Sequence, residues 1–479
     1  MLKFSDNSLI AFCVALLTGV LYAVSVDVGP FGPLVLIAPV PLLVYALTSN
    51  RLRRIFCVSF LARAMGAVTF IHAYAGTLPV LALIIATLIW GLEFAVLVLL
   101  ARWTVRQLPG WIATLSFPVF LTASEFLMQL ISPHGSFGAL GYALSDIPLV
   151  TQIASVGGVA AVSFIAALIP MMIAMLLYQP HQWRSVLGAG CLPLVVVSII
   201  GAWRLSLPYD EYANVGVAAI DSLTMHAVRS RSEAQRVSQT YKDLLQTLRG
   251  KELQAVVLPE KVFVVNPEDH AAEDALQAAA NDLGTVVAAG FDETTDTGVR
   301  RNSAIVFRPN SALLDYSKQR MIPGLESEFI PGNKPLLFGH RGVAICKDMD
   351  FPSVIRKYGQ HGINLLLVPA WDFKRDGHLH SRMAVLRGVE NGFAIARAAA
   401  DGRLTVSDAF GRIIAETTTS ENKPVMLTAR VGLIHGGTIY SKIGDAFGWG
   451  VVDLSMALLL WLAVISYSDR TGRRAAFSA

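Results

Sequence analysis

The run Gly342-Val343-Ala344-Ile345-Cys346-Lys347-Asp348 is a short apolar stretch closed by a thiol and two charges. A run bounded in this way reads as a buried strand, so Cys346 stands at a strand end. The polar segment around it, residues 208–447, is long enough for one complete α/β domain. The rest of the chain is of another kind. Of its 479 residues 54% are hydrophobic and 15% are charged, too apolar a balance for an ordinary water-soluble protein. The apolar residues fall in blocks long enough to cross lipid. Any function must therefore explain a thiol at a strand end in a chain built for a bilayer.

Eight candidate spans lie near 8–26, 31–48, 55–75, 78–100, 111–130, 151–178, 185–204 and 449–467, the last shortened by Asp453. The first has no small-residue cleavage site and is followed by further spans, so it reads as a span and not as a signal peptide. The chain divides into a membrane domain with seven spans (1–207), a polar domain (208–447) and a final span with its tail (448–479). Lys3, Arg51, Arg53, Arg54, Arg102, Arg106, Arg184, Arg470, Arg473 and Arg474 all fall on one side, which the excess of basic residues makes cytoplasmic. The polar domain then lies outside the cytoplasmic membrane. A net charge of +4 is too small to argue for nucleic acid. Arg63, Glu93 and Glu125 sit within spans, where charged groups pair or face a bundle interior. Residues 131–150, with Pro133 and His134, form an outer loop that either dips into the membrane or lines an entrance.

Within the polar domain, strands are expected at 214–220, 254–258, 285–289, 302–307, 312–316, 341–345, 363–368, 394–398, 404–407 and 413–418. Helical patterns lie at 229–248, 274–281 and 380–391. The mixture of crossovers and hairpins predicts an α/β sandwich and not a purely parallel sheet. No glycine-rich phosphate loop follows a strand, so nucleotide binding is unsupported. Cys13, Cys57 and Cys191 lie in apolar blocks and behave as small hydrophobes. Glu260, Lys318 and Cys346 stand at strand ends or in nearby loops. A thiol needs a base or a cation beside it to become a nucleophile, a carboxylate is such a base, and a lysine steadies an oxyanion. Taken singly, each has a plainer reading: a solvated carboxylate, a surface charge, a core thiol. His361, His378 and His380 match no zinc spacing, so neither metal nor cofactor is expected.

Strings around these residues carry more. Leu258-Pro259-Glu260, Tyr316-Ser317-Lys318 with Pro323 and Glu326, and Gly342-Val343-Ala344-Ile345-Cys346 resemble the nitrilase, or carbon–nitrogen hydrolase, superfamily. That resemblance implies an αββα sandwich with a Glu–Lys–Cys triad. Framed by seven spans before and one after, the chain resembles the apolipoprotein N-acyltransferase family over nearly its whole length. Asn302-Ser303-Ala304, His380, Arg387, Glu390, Arg397, Gly437–Tyr440, Glu125 and Gly157–Phe164 fit the same pattern. The implied fold is a polytopic α-helical membrane bundle with an inserted αββα nitrilase-like domain. The implied roles are Glu260 as general base, Cys346 as nucleophile, Lys318 as electrostatic partner and Glu326 as a supporting carboxylate. Glu326 also reads as a surface residue of an acidic loop with Glu328. Trp371 and Phe373 line an acyl pocket, anchor a loop or simply pack.

The resemblance further implies a phospholipid acyl donor and a diacylglyceryl-modified lipoprotein acceptor. It implies a bacterial inner membrane location with the catalytic domain in the periplasm; a monomer is the default. The chain departs from the family pattern at Lys347-Asp348, where tyrosine and glutamate are usual, and at 369–373, 323–325 and 400–402. Asp348 keeps a carboxylate with a shorter reach. Lys347 adds a charge that lowers the thiol pKa or meets a phosphate headgroup. These departures suit a divergent paralogue, an amidase-like hydrolase, or a non-catalytic lipoprotein-binding relative.

Overall fold

Alternation of apolar residues fixes how the polar domain is layered. The structure is a computed structural model and describes residues 7–221, 231–420 and 423–477, so the readings at Lys3 and Arg229 lie outside it. Thirteen strands occur among the described residues: β1 Glu211–Ala219, β2 Ala255–Val257, β3 Phe263–Val265, β4 Val286–Thr294, β5 Arg300–Phe307, β6 Leu314–Ser317, β7 Leu336–Phe338, β8 Arg341–Val343, β9 Leu365–Trp371, β10 Ala394–Ala400, β11 Arg403–Ser407, β12 Ile413–Thr418 and β13 Val425–Leu433. They form two sheets, in the orders β13-β1-β2-β4-β5-β6, with β3 also on β4, and β12-β11-β10-β9-β8-β7. In each sheet a parallel centre is flanked by antiparallel strands.

Period-two patterning puts Val215, Val217, Val257, Leu365, Leu367 and Ala396 into one shared core between the sheets. The alternate residues Val256 and Val287 face Val237, Tyr241 and Leu276 of the helices Arg231–Gln246 and Ala271–Leu283. On the other sheet Leu366, Val368 and Ile395 face Ile355, Tyr358 and Ala384 of the helices Pro352–Gln360 and Gly377–Asn391. The layers are therefore α, β, β, α. The strand expected over 341–345 is Arg341–Val343, and the Ala344 N–H still donates to Leu367 O of β9 at 3.2 Å. Ile345 leaves the ladder because its N–H is taken by the Asp348 carboxylate at 3.0 Å. The helix at 352–360 and strands β3, β7 and β13 were not expected from the sequence.

The chain separates into two compact units, one of residues 1–130, 138–202 and 445–479 and the other of residues 131–137 and 203–444. Among the described residues seven helices are long and apolar enough to cross a membrane, among them Ser8–Ser25, Val80–Gln107, Ala154–Tyr178 and Ala446–Ser468. Leu81, Leu88, Leu192, Ile199, Leu460 and Trp461 remain exposed on them, as side chains facing lipid do. The second expected span, 31–48, is not one long helix. It is a 3-10 turn at Gly32–Leu36 and a helix at Val40–Thr48. Pro30, Pro33, Pro39 and Pro41 remove the backbone donors a continuous helix needs. The charges within the spans are held inside the unit: Arg63 meets Asp27 at 3.4 Å, Ser124 donates to Glu93, and Glu125 accepts from the Leu140 N–H at 2.9 Å.

Candidate active site

Glu260, Lys318 and Glu326 come from three separate places in the sequence and meet inside the second unit. Glu260 follows β2 at the strand's carboxyl end, Lys318 directly follows β6, and Glu326 lies in the loop beyond it. Lys318 Nζ donates to Glu260 Oε1 at 2.8 Å and to Glu326 Oε2 at 2.7 Å. Asn302, on β5, extends its Nδ2 to Glu260 Oε1 at 2.6 Å and to Glu326 Oε1 at 2.8 Å. Its side chain thus ties the two carboxylates together. Lys261 Nζ adds a bond to Glu326 Oε1 at 2.8 Å. Relative exposures of 2% for Glu260, 0% for Lys318 and 1% for Glu326 remove the readings of all three as surface charges. Ionised groups cost several kcal/mol each to bury, so a cluster of this kind is weak as a stability device and belongs to the class of groupings found at functional sites.

A glycine makes room for Glu260. A Cβ on Gly290 of β4 would stand 2.4 Å from the Glu260 Cα, and the Gly290 N–H donates to Pro259 O at 3.0 Å. Strand β4 therefore passes directly against the Glu260 turn, which only a residue without a side chain permits.

Cys346 opens the 3-10 turn Cys346–Asp350, with a φ of 39° in the left-handed region. Its thiol donates to Trp371 O at 3.4 Å, and Glu260 N–H donates to the neighbouring Ala370 O at 3.1 Å. The end of β9 thus holds both residues through neighbouring carbonyls. Burial pushes the Cys346 thiol well up, the Glu260 carboxylate adds to this, and Lys318 works against it. The resting group is a thiol. Glu326 is disfavoured as an anion by burial, but Lys318 and Lys261 outweigh that and hold it down at about 2. Lys318 is held above its ordinary value, because Glu260 and Glu326 overcome the effect of burial.

Asp348 fastens the turn to the lysine loop. It accepts from Ile345 N–H at 3.0 Å, Gln319 N–H at 3.0 Å, Arg320 N–H at 2.9 Å and Tyr316 OH at 2.7 Å. Burial pushes its carboxyl up to about 6, against the pull of these donors. Lys347 is not a free surface cation. Its Nζ lies 3.2 Å from Asp350 Oδ2 and 3.1 Å from His134 Nδ1. His134 belongs to residues 131–137, which are grouped with this unit; Ser136 of the same segment donates to Asp350 O at 2.7 Å through its hydroxyl. Part of the expected outer loop is therefore a strap on the cysteine turn. Trp371 Nε1 donates to Asp401 Oδ2 at 2.9 Å, and Arg397 pairs with the buried Asp372 next to it.

Three residues of this cluster and its surroundings are not singled out by the sequence. Asn302 stands there only within a string and Tyr316 only as a neighbour of Lys318. Lys261 does leave a usable signal, a lysine directly after a strand-end glutamate.

A multi-helix membrane-spanning bundle carrying an αββα sandwich of nitrilase-like fold is the class these features define. Comparison with known proteins agrees. Residues 18–172 match the family model described as the apolipoprotein N-acyltransferase N-terminal domain, and residues 223–433 match carbon-nitrogen hydrolase. The chain is similar to the apolipoprotein N-acyltransferase of Geobacter metallireducens, at 26% identity over 92% of this chain and 93% of that one. It is also similar to an (R)-stereoselective amidase of a Pseudomonas species, at 28% identity over 32% of this chain and 60% of that one. A solved carbon-nitrogen hydrolase from Helicobacter pylori G27 aligns with 46% of this chain and 89% of its own, with a TM-score of 0.39 and 20% identity. The chain is a two-domain protein that combines these two regions and is related to apolipoprotein N-acyltransferases at low identity. That relationship supports acyl-transfer or amidase-type catalysis.

Proposed function

We propose that the protein is an N-acyltransferase that moves an acyl chain from a phospholipid to the α-amino group of a diacylglyceryl-cysteine lipoprotein, by way of a thioester on Cys346. The observation that carries this reading is the buried Glu260–Lys318–Glu326 cluster beside a thiol on a left-handed turn, in a chain with long apolar helices. Both substrates on this reading are anchored in lipid, which gives the helices a purpose. Glu260 Oε1 is occupied by Lys318 and Asn302, so Oε2 takes the thiol proton. The sulfur attacks the ester carbonyl carbon, and Lys318 stabilises the oxyanion. Glu260 returns the proton to the departing lysophospholipid oxygen, which leaves the acyl group on sulfur. The acceptor amine then attacks the thioester, its proton passes to Glu260 and on to the sulfur, and an amide is released. The catalytic domain, about residues 208–447, faces the periplasm of a bacterial inner membrane protein on this reading.

The test is incubation of the detergent-purified protein with phosphatidylethanolamine and a diacylglyceryl-cysteine peptide, read by intact mass. The peptide gains one acyl chain with wild type and none with Cys346→Ala. Release of free fatty acid without acylated peptide would show transfer to water and replace this reading with that of a hydrolase.

A further inference from the structure

Lys261 is the member of the buried cluster that the mechanism leaves without a task. It is 8% exposed, and its Nζ reaches Glu326 Oε1 at 2.8 Å. The amine lies over the ring of Trp371 at 5.2 Å and over that of Phe329 at 5.5 Å. Trp371 is the residue whose carbonyl accepts the Cys346 thiol. Lys261 itself has a φ of 49°, in the left-handed region. A long side chain adopts that conformation only at a cost that must be made up elsewhere. The turn lets two consecutive residues, Glu260 and Lys261, send their side chains into one cluster.

The formal charge of the cluster depends on the second amine. Lys318 alone would face two carboxylates, a cluster of formal charge −1. With Lys261 the formal charges balance. The reaction then adds one negative charge, first on sulfur and then on the substrate oxygen, in a place where water cannot screen it. An unbalanced Glu326 would oppose that charge and draw Lys318 toward itself.

We propose that Lys261 is a positioning residue of the reaction: its ammonium neutralises Glu326, so that Lys318 is left to hold Glu260 and to receive the negative charge of the transition state. The inference rests on Cys346 being the nucleophile. Other charged groups that act on the thiol are Glu260, Lys318, Asp372 and Arg397. Arg300 shares the Phe329 ring with Lys261 at 4.8 Å, and is tied to Asp292 and Glu328.

The experiment compares wild type, Lys261→Met and Lys261→Arg as full-length proteins in detergent. Alkylation of Cys346 by iodoacetamide is followed against pH by peptide mass spectrometry, alongside the thermal midpoint. Peptide mapping separates Cys346 from the three other cysteines. Lys261→Met is expected to shift the alkylation profile up by about one pH unit, a tenfold slowing on its rising limb. Lys261→Arg, which keeps the charge, is expected to keep the wild-type profile. A Lys261→Met profile superimposable on wild type overturns the inference. Equal slowing in both variants without a shift of the profile, together with a lowered thermal midpoint, assigns Lys261 a packing role and also overturns it. A wild-type Cys346 that stays unreactive at every pH while the unfolded chain reacts removes the nucleophile itself, and that result is distinct from the other two.

Discussion

Cys346 combines three properties that a structural cysteine does not need: a left-handed backbone, a hydrogen bond to Trp371 O, and a position where a glutamate and a lysine act on it. A non-glycine residue in that conformation costs about 1–3 kcal/mol and points to function. His380 makes a measurable statement at the same scale. Its Nε2 lies 3.1 Å from Asp376 Oδ2, and its Nδ1 lies 3.8 Å from Asp350 Oδ1. Burial works against its charge, but Asp376 and then Asp350 and Asp372 outweigh it and raise the imidazole from 6.5 to about 9. A raised folded value means that the contribution is complete below pH 6.5 and is lost as pH rises through 9. Stability is expected to fall across that window by on the order of 3 kcal/mol, followed as a falling thermal midpoint. His380→Gln should flatten the dependence; an unchanged slope in the variant would show that His380 does not cause it.

At the scale of elements, the close pass of β4 against the Glu260 turn is the least forgiving feature. Gly290→Ala places a methyl carbon 2.4 Å from the Glu260 Cα, so the backbone of the turn must shift to admit it. Acyl-enzyme formation in Gly290→Ala is expected to slow roughly 10–100-fold, measured by quenched intact mass with circular dichroism to check the fold. A wild-type rate would show that the turn relaxes freely. The same scale explains what the sequence disclosed. Val215, Val217, Leu365 and Leu367 alternate with their outward neighbours, and such strands were legible. Strand β13 was not, because its register is set by β1, more than two hundred residues earlier in the chain. Short β3 and β7 have too few residues to show a period. Glu260, Lys318, Cys346 and Glu326 were legible as motif residues. Asn302, Tyr316 and Lys261 act only through contacts that folding creates, and no spacing announces those.

For the whole molecule, the seven long apolar helices among the described residues are legible as hydrophobic blocks, and the proline-broken 32–48 segment shows where hydropathy alone misreads continuity. The distribution of arginines places the polar domain outside the cytoplasm on our reading. Ser311, exposed in the β5–β6 hairpin, provides a site to check this. In intact cells a membrane-impermeant maleimide is expected to label Ser311→Cys above the wild-type background. Labelling that appears only after lysis would reverse the orientation and place the site on the wrong side for a periplasmic acceptor.

The most direct test of the central claim needs only the donor. The purified protein is mixed with phosphatidylethanolamine of a single known acyl composition, quenched in acid, and weighed intact. The account predicts a mass increase of one acyl group, mapped to the peptide that contains Cys346, sensitive to hydroxylamine and absent from both Cys346→Ala and Glu260→Gln. An acyl group found on another residue, or equally on the Cys346→Ala protein, would contradict it.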